Sequence, residues 1–299
     1  LFAWLPAATA VNFTILGHIA WAAEGMRRLM VKLGVQGPGS ILAAVAFAFS
    51  GFMTTHAGFL GMQNAASWLP WLLMATVVGR WAPIGLCAAM MMVAGHPQIA
   101  AMGVLGAFAV AVWKKNIHLF LVGLLVAFVA ASPQILATVE LIEHSVRAGG
   151  VSGDFSVIGA LPIQELISTV LPSFFGFERP ADMAQSYFHR GGLYWGGGVS
   201  HWDSSVYLGV PVAILALLVA RRHRFWLGVA VASVLLMIAS PLWDLMRFLP
   251  VFDTMRYPVR FSLWLTLAVA VLAGHGLKTL IENPSPGRLA GRLAGLAGL

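Results

Sequence analysis

Charge is what this chain has least of. Only 10% of its 299 residues are Asp, Glu, Lys or Arg, where a soluble domain carries about a quarter. Acids are scarcer still, 11 against 18 Lys and Arg. With 59% hydrophobic residues and a mean hydropathy of +0.84, the chain reads as a polytopic membrane protein. Cysteine is almost absent. The lone Cys87 lies in an apolar run and excludes an internal disulfide or a cysteine metal centre. No HExxH spacing occurs, and no Gly-rich nucleotide loop follows a strand. There is no repeat of fixed period and no low-complexity linker. A pI near 10.2 invites a nucleic-acid partner, but Lys and Arg fall in short clusters between apolar runs, as membrane topology requires.

What is present is a series of apolar stretches, about nine, near 5–26, 39–53, 65–79, 82–94, 98–113, 117–139, 205–220, 225–240 and 260–277. Every second connection is basic. Arg27, Arg28, Lys32, Arg80, Lys114, Lys115, Arg221, Arg222, Arg224, Lys278, Arg288 and Arg292 fall on one side, twelve of the 18 basic residues, with only Glu24 and Glu282 of the acids. The positive-inside rule makes that side cytoplasmic. The expected architecture is therefore an all-α polytopic transmembrane bundle. Its parts are transmembrane helices over 1–139, an extracytoplasmic loop over 140–204, further transmembrane helices over 205–281, and a cytoplasmic tail or linker over 282–299. Opening on LFAWLPAATAVNF without Met and closing on PSPGRLAGRLAGLAGL, the chain reads as a fragment of a longer protein.

Two spans are short. Residues 83–94 reach only about 18 Å at helical rise, against a hydrocarbon core of roughly 30 Å. The GHPQ turn, Gly95 to Gln98, should then lie below the outer surface, in protein or a wet cavity. In the large loop, Ile163, Leu166, Ile167, Val170 and Leu171 recur at helical spacing and predict a short helix on the membrane surface. PLWDLMRFLP, 241 to 250, is a second such piece.

The polar residues on the outer side form the candidate site. Glu140, Glu143, His144 and Arg147 share one face if the helix before them continues. The ordinary alternative is a helix emerging into water with internal charge pairs. His96 and Gln98 flank Pro97 and line a cavity or simply close a turn; His56 alone is more simply a structural histidine. Arg256 and Arg260 in MRYPVRF serve as interfacial anchors or, one helical turn apart, offer two planar forks to a phosphate. Asp203 is equally well a loop cap. Glu140 with His144 is only a two-ligand fragment, so no metal or other cofactor is identified, although a divalent cation would have carboxylates to meet. An outward-facing phosphate site in a membrane points to a lipid-linked substrate.

The motifs AFAFSGFMTTHAG, NAASWLPWLLMA, GHPQIA, SPQILATVELIEHSVRAG, LPSFFG, VYLGVP and MRYPVRFSLW, in that order, resemble the YfhO-like bacterial membrane proteins over nearly the whole chain. The resemblance implies a GT-C-like fold and a glycosyltransferase that takes sugar from a polyprenyl-phosphate carrier. Its acceptor would be an envelope glycan, a glycolipid or a protein. It also implies that the catalytic carboxylate sits in an earlier external loop, N-terminal to this chain, so the catalytic residue itself is unassigned. Two other readings fit the same residues. A lipid or solute transporter would carry charges deep in several spans, which are nearly free of them here. A non-catalytic scaffold would leave the outer polar set dispersed.

Overall fold

The computed structural model describes residues 2–145, 148, 150, 152–171, 174, 203, 205–249 and 252–282. Arg147, residues 175–202 of the long connection and the tail from 283 onward lie outside the described residues. Among the described residues every regular element is a helix and none is a strand. In chain order these are α1 (Ala7–Lys32), α2 (Pro38–Ala48), α3 (Gly51–Thr55), α4 (Leu60–Ser67), α5 (Leu69–Val78), α6 (Trp81–Val93), α7 (Pro97–Lys114), α8 (Ile117–Ala130), α9 (Ser132–Glu143) and α10 (Gly153–Ser156). After these come α11 (Val210–Val219), α12 (Arg224–Met237), α13 (Pro241–Met246) and α14 (Ser262–Glu282).

Three segments are long and apolar enough to cross a membrane: Pro38–Thr55, Pro97–Lys114 and Pro258–Glu282. The expectation of about nine spans is met only in that coarser form, because other apolar stretches are divided among shorter helices such as α6 and α12. The stretch 117–139 is one example. It breaks between α8 and α9, which diverge by 72°. Pro133 sits in the first turn of α9; it lacks a backbone donor and disfavours helical dihedrals in the residue before it. The stretch 65–79 likewise divides at Trp68, ahead of Pro70.

Helix α14 is the hub. Its residues from Ser262 to Gly274 are buried all round, as expected of a helix without a polar face. It is packed by α2, α11 and α12. Small residues set those crossings. A Cβ at Gly39 would lie 2.6 Å from the Gly274 carbonyl oxygen, and one at Gly276 would overlap the Leu215 carbonyl. In an apolar medium such close backbone approach supplies the dispersion contacts that hold helices together.

Each end of the bundle is built from a different set of connections. At one end Lys278 Nζ donates to the Gly34 carbonyl at 2.9 Å, Asn116 donates to the Thr76 carbonyl at 2.6 Å, and His223 stacks on His275. These belong to the connections rich in Lys and Arg. At the other end, Leu161 N–H donates to the Met237 carbonyl, Trp243 Nε1 to Ser156 Oγ, and Tyr257 N–H to the Ile158 carbonyl. The loop after α9 is thereby folded onto the start of α14.

The stripe expected along Glu140, Glu143, His144 and Arg147 does not persist, because α9 stops at Glu143 and His144 caps it. The segment after Pro162 also differs from an α-helix. It is a 3₁₀ helix, Ile163–Thr169. Ile163 is 66% exposed and Ile167 36%, while Glu165 is buried. Leu245 and Phe248 of the α13 region are exposed in the same way. Apolar side chains turned outward around a polar end suit a membrane interface.

Candidate functional site

The site begins with a short helix and a close approach. Ser50 Oγ caps α3 by accepting from Met53 N–H. Gly51 donates its N–H to the Tyr207 carbonyl at 3.2 Å, and a Cβ there would overlap the Ser205 carbonyl. Only glycine lets the 203–207 segment lie so near α3. That approach delivers Asp203 to His56, 147 positions away: His56 Nε2 is 3.1 Å from Asp203 Oδ1. Both side chains are 2% exposed. Phe52 stacks on the imidazole, with ring centroids 4.4 Å apart, and Phe59 tilts against it at 6.1 Å.

The other wall is the turn leading into α14. Arg260 Nε lies 3.6 Å from the same Asp203 oxygen, and Arg260 donates through Nη1 to Gln98 Oε1 at 2.8 Å. Gln98 in turn donates through Nε2 to the Arg256 carbonyl at 2.8 Å. The amide of Gln98 therefore holds both ends of the Arg256–Arg260 turn. Between them, Tyr257 adopts φ +63°, a strained conformation for an aromatic residue that persists only where its surroundings over-determine it. Here they do. Its N–H is held by Ile158, and the guanidinium carbons of Arg256 and Arg260 lie 4.9 and 4.6 Å from its ring centre. Arg256 also lies over Phe155 at 5.0 Å. No ion pair among the described residues engages Arg256.

His96 closes the group from the start of α7. Its Nδ1 accepts from Ile99 N–H at 3.3 Å, so the neutral ring carries its proton on Nε2. Burial, with the positive charge of Arg260 adding to it, pushes the imidazole down to about 4. It is thus an uncharged hydrogen-bond donor at neutral pH.

Of the residues expected from sequence, His56, His96, Gln98, Arg256 and Arg260 come together. Glu140, Glu143 and His144 do not join them: α9 buries none of its residues, and His144 Nδ1 pairs locally with the Glu140 carbonyl at 2.9 Å. Arg147 lies outside the described residues. Asp203, in sequence equally well a loop cap, is the carboxylate that meets both His56 and Arg260. For Tyr257 the sequence signal is its place between two arginines and before a proline. Among the described residues no three His, Cys, Asp or Glu side chains are grouped to hold a metal ion.

Among the described residues the group sets two guanidiniums against one carboxylate and carries an excess of positive charge. In comparisons with family models, curated proteins and solved structures, no match to the chain was found.

Proposed function

We propose that this chain is the phosphate-handling part of a membrane glycosyltransferase of the GT-C type, taking sugar from a polyprenyl-phosphate donor at the outer face of a bacterial cytoplasmic membrane. One observation carries the reading: Arg256 and Arg260, held by Gln98, form a cationic face beside the buried Asp203. The resemblance of the ordered motifs to the YfhO-like proteins supplies the reaction class. The exposed apolar side chains of Ile163, Leu245 and Phe248 near that end suit the approach of a lipid carrier.

In this reading an acceptor hydroxyl, on an envelope glycan, a glycolipid or a protein, loses its proton to a carboxylate supplied by an earlier external loop. The hydroxyl oxygen attacks the anomeric carbon from the face opposite the phosphate. The bond from that carbon to the phosphate oxygen breaks, and its electron pair leaves with the polyprenyl phosphate. Negative charge therefore grows on the phosphate during the step, where preorganised guanidiniums are most effective. Arg256 and Arg260 carry that task. His96, neutral and with a fixed donor, orients a substrate oxygen. Glu140, Glu143 and His144, exposed beyond the site, would meet the acceptor, or a divalent cation, from the water side.

The test is turnover in vesicles holding the full-length protein and polyprenyl-phosphate-linked sugar, read as formation of free polyprenyl phosphate. Arg256→Ala and Arg260→Ala should each lower the rate by about a hundredfold or more, the scale of a lost transition-state donor. Undiminished turnover in both folded variants would remove this function.

A further inference from the structure

The two nitrogens of His56 face two oxygens, and this sets a proton inventory. Nδ1 lies 2.8 Å from the Phe52 carbonyl, which can only accept, so Nδ1 carries a hydrogen. Nε2 lies 3.1 Å from Asp203 Oδ1. With one hydrogen on the ring and none on the carboxylate, two lone pairs would oppose each other in a buried place. The contact as it stands therefore contains one more proton, either on Nε2 or on the carboxyl. With it the pair is neutral overall; without it the pair carries one negative charge. Arg260 shares the same carboxylate oxygen, so that charge acts directly on the cationic face.

We infer that the proton shared by His56 and Asp203 sets the anion affinity of the Arg256–Arg260 face, tightening it when the proton is present and loosening it when the proton is lost. This rests on the reading of that face as the phosphate seat. Among the described residues, Thr55 beside it on α3, His96 at the start of α7 and Arg260 in the turn before α14 face the pair, and Arg256 and Tyr257 adjoin Arg260. His96 titrates near 4, well below neutral pH, so it does not supply the effect. The sign follows from Coulomb's law: removing a negative charge from beside two guanidiniums strengthens their hold on an anion.

The probe is a short-chain dialkyl phosphate, a phosphodiester that holds one negative charge throughout the pH range used. Its binding to the detergent-solubilised protein is measured by calorimetry between about pH 5 and about pH 8.5. The wild type should bind about tenfold more tightly at the acid end, the scale of one charge acting over about 10 Å at an effective dielectric near 20. His56→Gln cannot take up the proton and leaves Asp203 charged, so its affinity should be flat and weak. Asp203→Asn removes the charge and should be flat and tight. A flat profile in the wild type overturns the inference, as does an unchanged slope in both variants. Arg256→Ala and Arg260→Ala report on the seat itself: weakened binding at every pH supports it, and wild-type affinity in both would dismiss the phosphate reading independently of the proton.

Discussion

Asp203 is the most informative single position for stability, because one oxygen serves two partners. Replacing it by Ala removes the 3.1 Å contact to His56 Nε2 and the 3.6 Å contact to Arg260 Nε. At an effective dielectric near 20, a unit charge pair at that second distance is worth about 4 to 5 kcal/mol. Arg260 remains 18% exposed at its side chain and keeps its bond to Gln98, which reduces the loss. Stranding one partner of a buried pair costs about 3 to 5 kcal/mol, so about 3 kcal/mol is expected here. The cycle Asp203→Ala, Arg260→Met and the double variant separates the pair from its surroundings. Once the carboxylate is gone, removing the guanidinium should cost less than in the wild type, with a coupling of about 2 kcal/mol. Reversible unfolding in mixed detergent micelles provides the measurement. A single-variant cost below about 1 kcal/mol with no coupling would refute the claim that Asp203 and Arg260 form a buried, energetically coupled pair.

Two further outcomes follow from the packing and from His96. Gly276→Ala should destabilise by about 2 kcal/mol or more, since its Cβ would overlap the Leu215 carbonyl and forced overpacking costs about 1 to 3 kcal/mol; a melting temperature equal to wild type would show that α11 and α14 can separate freely. The depressed titration of His96, about 4 against an ordinary 6.5, means that the unfolded chain binds the extra proton between those values. Stability should therefore be independent of this group above about pH 6.5 and fall as pH drops toward 4. His96→Asn keeps a capping side chain at the head of α7 and should flatten that slope. If the slope survives in His96→Asn, another group is responsible.

Composition and pattern decided the class of this protein. With so little charge, long apolar runs and basic residues confined to alternate connections, the chain had to become helical, because an apolar medium leaves helices as the economical way to satisfy backbone polar groups. The same alternation sorted the connections by end, which is why His56, His96, Gln98, Arg256 and Arg260 were legible as a group. Sequence could not measure distance among them. Glu140, Glu143 and His144 looked equally eligible, and they are separated from the group by the bend at Pro133, whose direction depends on what α8 and α9 pack against. Asp203 looked like any loop acid, since its role depends on an approach to α3 that Gly51 permits but does not announce. A one-dimensional pattern records which side chains share an end of the membrane. Which of them share a proton is settled by the crossings of α2, α3 and α14, where a single missing Cβ decides how near two backbones come.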